Sequence, residues 1–127
     1  MKKFTLCFDF DNTIVLTERY PVIVCLRPHV RQVFEMLRAR GHYIIISTCR
    51  IGKNAEYALR YLSEMKIPFD AFNANNPERV NKYGGDCRKI SADFYFDDKA
   101  YPLANVDFYD YYRFVLEQEK KYAEDVV

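Results

Sequence analysis

The sequence predicts an α/β protein, a doubly wound and mostly parallel sheet with helices on both faces. Two observations predict it. Short apolar runs recur along the chain, at 4–8, 43–47 and 94–96. Between them lie stretches whose apolar residues fall at helical spacing, such as Val30, Val33, Phe34 and Leu37. Strands that alternate with helices pair in parallel through crossover connections and bury both sheet faces.

Taken in order, the first strand covers residues 4–10 and contains the run Phe4-Thr5-Leu6-Cys7-Phe8. Residues 13–26 hold β-branched side chains and Pro21 and read as a short hairpin or flap. A helix opens near Pro28, which suits a first helical position, and Gly41 ends it. A second strand follows at 43–47, then a helix over 54–65 with Ala58, Leu59, Leu62 and Met65 on one face. Pro68 introduces a short strand at 69–72. Residues 73–87 are polar, with Pro77 and Gly84-Gly85, and read as a long loop with one helical turn. Strands are expected at 93–96 and 106–109, and a closing helix over 112–124.

The 127 residues suffice for one domain with a real core, so residues 1–127 are read as a single unit. Half are hydrophobic, with eleven Tyr and ten Phe, which excludes a disordered chain. The net charge of +1 gives no bulk attraction to nucleic acid. Cys7, Cys25, Cys49 and Cys87 contain no C-x-x-C pair, so a zinc site is poorly supported and reduced, cytoplasmic thiols are the simpler reading. Met1-Lys2-Lys3 before an apolar run faintly mimics a secretion signal, but Asp9 and Asp11 interrupt the run too early. No stretch approaches membrane-spanning length.

Asp9 and Asp11 carry the chemistry. They lie one residue apart where an apolar run ends, and strand alternation turns them to the same side. Two like charges held that close need a cation or a proton between them. Thr48 ends the second apolar run and Asp97-Asp98 the third, with Lys89 ahead of it. Ligands of parallel sheets bind at the carboxyl ends of strands, where all five of the acidic and hydroxyl residues fall.

The order Asp-x-Asp-x-Thr, then Thr, then Lys, then Asp-Asp resembles the haloacid dehalogenase (HAD) superfamily of phosphotransferases, from Phe4 to near Val106. Many members have Gly where this chain has Asn12, a residue that tolerates the left-handed backbone of a tight turn. The resemblance implies a small HAD-like phosphatase dependent on Mg²⁺. Asp9 is the implied nucleophile, which forms an aspartyl phosphate. Asp11 is the implied general acid and base, and its backbone carbonyl a metal ligand. The dehalogenating branch lacks this second Asp, which favours phosphate chemistry. Thr13 either supports the turn through its hydroxyl and backbone or contacts the ligand.

By the same resemblance Thr48, in preference to Ser47, donates its hydroxyl to a phosphoryl oxygen. Lys89, in preference to Lys82 or Lys99, neutralises charge on the phosphoryl group and on Asp9. Asp97 and Asp98 complete the Mg²⁺ site, Asp97 directly and Asp98 through water or by holding Lys89. Arg50, two residues after Thr48, either contacts substrate or pairs with a surface acid.

The family often carries a cap domain. Both usual insertion points are filled here by assigned elements, so no cap is expected and the site is open. That suits a phosphorylated macromolecule, or a small phosphate ester enclosed by a partner subunit. Two other readings stand beside this one. A signalling receiver domain places its adjacent acidic pair first, whereas here Asp-x-Asp comes first and Asp-Asp last. A non-catalytic HAD-like module that binds phosphate or metal is the other. The Tyr109, Tyr111, Tyr112 cluster is open to three roles: core, base stacking or the face of a homodimer.

Overall fold

The computed structural model describes residues 2–85, 89–97 and 107–124. Four parallel strands form the sheet in the order β5-β4-β1-β6. These are β1 (Thr5–Asp9), β4 (Tyr43–Ser47), β5 (Ala71–Phe72) and β6 (Phe94–Phe96). A separate antiparallel pair, β2 (Val15–Leu16) with β3 (Cys25–Leu26), makes the expected hairpin flap. The helices are α1 (Val30–Ala39), α2 (Gly52–Glu64), α3 (Pro77–Tyr83) and α4 (Phe108–Glu124). The chain is thus an α/β protein with a parallel, Rossmann-like sheet.

Register places the strand ends level with one another. In β1 and β4, Thr5 faces Tyr43 and Asp9 faces Ser47; in β1 and β6, Leu6 faces Phe94 and Phe8 faces Phe96. Strand alternation sends Leu6, Phe8, Ile44, Ile46 and Phe96 into one buried cluster. Phe8 is its centre. Its ring stacks on Phe96 at 4.5 Å and lies 4.7 Å from Phe34 of α1 and 5.7 Å from Phe108 of α4. Ala58 and Leu62 of α2 join the same cluster. On the opposite face Thr5, Cys7 and Ile45 are also buried. There Asn76, which caps α3, donates through Nδ2 to the Thr5 hydroxyl at 3.2 Å.

Of the expected boundaries that shift, three have a clear local cause. Helix α1 begins at Val30 rather than near Pro28, because His29 turns left-handed (φ 71°) and stands as its N-cap. The loop expected at 73–87 contains a two-turn helix. Asn76 accepts the Glu78 N–H at 3.0 Å, Pro77 opens the first turn, and Gly84 (φ 75°) closes the last. The strand expected at 106–109 is corrected over its described part: Phe108 and Tyr109 are the first turn of α4. Asp107 accepts the Tyr109 N–H at 2.8 Å, and Asp110 accepts the Asp107 N–H at 3.2 Å, which is a capping box that starts a helix there. Val106 lies outside the described residues.

Helix α4 is tied back to the sheet at its far end. Glu119, almost fully buried, accepts from Arg40 Nε at 2.8 and 3.0 Å. It also lies 3.5 Å from His42 Nε2. His42 is itself buried, and its Nδ1 accepts the Phe4 N–H, so Nε2 carries the proton of the neutral ring. Burial pushes the His42 pKa down, and the nearby Glu119 only partly opposes it.

Candidate active site

The candidate site is built on the carboxyl ends of four adjacent strands. Asp9 ends β1, Ser47 ends β4, and Asp97 follows β6 directly. Asn73 follows β5. Level register brings these positions to one edge, since Asp9 is opposite Ser47, and Phe8 and Phe96, the residues just before Asp9 and Asp97, are paired. A cleft of about 300 Å³ opens there, lined by Asp9, Ser47, Thr48, Cys49, Asn73 and Ile90. Asp9 and Thr48, two residues singled out in the sequence, therefore share one cavity wall.

Backbone geometry explains the turn after Asp9. The Phe10 N–H continues the ladder to the Ser47 carbonyl at 3.0 Å, and the chain then reverses. The Ile14 and Val15 N–H groups both return to the Phe10 carbonyl. Asn12 has φ 62°, the left-handed conformation in which Asn substitutes for Gly. Thr13 is fully buried, and its carbonyl accepts from Arg27 Nη1 at 2.9 Å, in keeping with a supporting role.

Thr48 is held at two points. Its N–H donates to Asn73 Oδ1 at 2.8 Å, and its Oγ1 accepts the Arg50 N–H at 3.1 Å. A hydroxyl that accepts still has its own hydrogen to give, so Thr48 retains a donor for an anion in the cleft. Lys89 is exposed and immediately precedes Ile90 of the cleft wall; its carbonyl accepts from Asn75 Nδ2 at 3.4 Å. Asp98 and the rival Lys99 lie outside the described residues.

The Asp11 carboxylate turns to Arg50. Arg50 Nη2 donates to Oδ1 at 2.7 Å and Nε to Oδ2 at 3.0 Å, a bidentate pair. Thr17 Oγ1 adds a third bond, to Oδ1 at 2.8 Å. The Arg50 side chain is wholly buried. Its guanidinium lies 5.3 Å from the Phe10 ring, 5.0 Å from Tyr20 and 5.8 Å from Tyr57. Burial pushes the Asp11 pKa up, but the bonds from Arg50 and Thr17 outweigh it and hold the carboxyl below its ordinary range. Of the two partners expected for Arg50, substrate or a surface acid, the partner found is Asp11.

Sequence reasoning did not single out Asn73 or the Arg50–Asp11 pair. Asn73 could have been found from its place after the short strand at the edge of the sheet. The pair follows from the β1–β4 register, which no residue pattern displays. Among the described residues no group of three His, Cys, Asp or Glu side chains converges, and no helix is long and apolar enough to cross a membrane.

The chain is similar to a solved structure of a conserved protein coded by a locus from Bacteroides thetaiotaomicron. The two share 28% identity with a TM-score of 0.78, over 92% of this chain and 93% of that one. The architecture is thus common to nearly the whole of both. No family model and no curated protein matches the chain.

Proposed function

We propose that this protein is a Mg²⁺-dependent phosphohydrolase of the HAD type, capless, acting on a phosphate monoester. The observation that carries the reading is the Asp9–Thr48 cleft at the carboxyl edge of the sheet, with Asp97 one residue past the Phe8–Phe96 pair on the neighbouring strand. The donors suit Mg²⁺, which takes oxygen ligands and needs only one or two carboxylates when a phosphate and waters supply the rest. Asp9, Asp97 and the Asp11 carbonyl would hold it, with Asp98 as the further expected ligand. Bound there, the ion lowers the repulsion between a carboxylate and a phosphate dianion.

The residues of the chain then divide the work. An Asp9 oxygen forms the bond to phosphorus while the bond to the leaving oxygen breaks. Asp11 supplies a proton to that oxygen and afterwards takes one from the attacking water. Thr48 and Lys89 stabilise the phosphoryl oxygens. The hairpin flap around β2 and β3 and the segment from Asn73 onward are the covers this reading assigns to the edge, which favours a large substrate or one enclosed by a partner subunit. A cytoplasmic location goes with this reading.

One observation favours the second reading, a non-catalytic module: the Asp11 carboxylate is engaged by Arg50. Turnover of p-nitrophenyl phosphate with Mg²⁺, with and without EDTA, separates the two. Metal-dependent release that Asp9→Asn abolishes supports the enzyme. No release from any simple ester, with Mg²⁺ still bound, supports the module.

A further inference from the structure

The Arg50–Asp11 pair asks for an explanation that stability does not provide. Arg50 is wholly buried and Asp11 partly so, and an ion pair drawn out of water is weak evidence for stability, because desolvation offsets much of the attraction. Yet this one is elaborately built. The guanidinium is enclosed by Phe10, Tyr20 and Tyr57, and Nη1 reaches the Asn54 carbonyl at 3.5 Å. The Tyr57 hydroxyl accepts the Ile23 N–H of the flap at 3.3 Å. The Arg50 backbone N–H is bonded to Thr48 Oγ1, so the clamp and the cleft wall share one short segment. Both Asp11 oxygens are bonded, which fixes the plane of the carboxylate two residues beyond Asp9.

The fork of Arg50 and the Thr17 hydroxyl together leave this carboxylate a single orientation. Resting on the phosphohydrolase reading above, we propose that Arg50 is a positioning residue for the second half of the reaction. It holds Asp11 in the orientation from which that carboxylate takes the proton of the hydrolytic water. In that step the water oxygen bonds to phosphorus and the phosphorus–Asp9 oxygen bond breaks. Its electron pair returns to the Asp9 carboxylate, the water proton passes to Asp11, and inorganic phosphate leaves.

Pre-steady-state cleavage of p-nitrophenyl phosphate with Mg²⁺ tests this. The nitrophenolate departs without needing a proton, so the initial burst reports formation of the phosphorylated enzyme and the later rate reports its hydrolysis. The burst also counts folded, competent sites in each preparation. Arg50→Met should keep a burst while the later rate per competent site falls at least about tenfold, within the span of a general base. Asp11→Asn should do the same, and Arg50→Lys, with the charge but not the fork, should lie between. If Arg50→Met or Arg50→Lys slows burst and later rate by the same factor, or changes neither, Arg50 does not position the base. If wild type gives no Asp9-dependent turnover at all, the phosphohydrolase reading itself fails, and this role with it.

Discussion

Phe8 ties the core to the site, since the next residue is Asp9. Its side chain is fully buried, with rings of Phe96, Phe34 and Phe108 between 4.5 and 5.7 Å away. Phe8→Ala removes the ring from the middle of that stack and leaves a cavity with rigid aromatic walls. Such a truncation costs about 4 kcal/mol, a large part of the roughly 5–15 kcal/mol that holds a domain of this size together. Phe8→Leu keeps most of the volume and loses the ring pairs, for about 1.5 kcal/mol. Urea denaturation followed by circular dichroism reads both. With a slope of about 2 kcal/mol per molar, the Ala variant should unfold about 2 M earlier than wild type and the Leu variant less than about 1 M earlier. An Ala variant that shifts by under about 0.5 M, or a Leu variant as damaged as Ala, would refute the placing of Phe8 at the centre of the core.

Two further outcomes follow from the structure. His42 has its folded pKa pushed below the ordinary value of about 6.5, so the unfolded chain binds the extra proton first as pH falls. Its contribution is therefore full above about pH 6.5 and is lost as pH drops toward the folded pKa. Denaturant midpoints of wild type should fall from pH 7 to pH 5 more steeply than those of His42→Gln; parallel curves would exclude His42 as the cause. Asn73→Ala deletes the acceptor of the Thr48 N–H and places Ala at φ 52°. It should cost about 1–2 kcal/mol of stability and lower kcat/KM for p-nitrophenyl phosphate about tenfold, and wild-type kinetics in that variant would show that Thr48 needs no such anchor.

Much of this fold is legible in the residues. The runs ending at Asp9 and Ser47 are strands because they are near-continuously apolar and rich in β-branched and aromatic side chains, as a sheet buried on both faces requires. The signals of helix α3 are caps rather than periodicity, Asn76-Pro77 at one end and Gly84 at the other, so apolar spacing does not reveal its length. The strand-like composition of Phe108-Tyr109 hides the start of helix α4; the Asp107–Asp110 capping box overrides that propensity. At the site, Asp9 and Thr48 could be placed because both end apolar runs. The partner of Arg50 could not, because the pair depends on how β1 and β4 align and on the flap folding over Tyr57.

The most direct test of the central claim is capture of the covalent intermediate. Wild-type protein turning over p-nitrophenyl phosphate with Mg²⁺ is quenched and reduced with borohydride, which converts an aspartyl phosphate to homoserine, and the peptides are read by mass spectrometry. Homoserine is expected at position 9 and at no other aspartate, and absent with EDTA. Turnover with Asp9 unmodified, or with the label at Asp11 or Asp97, would contradict it.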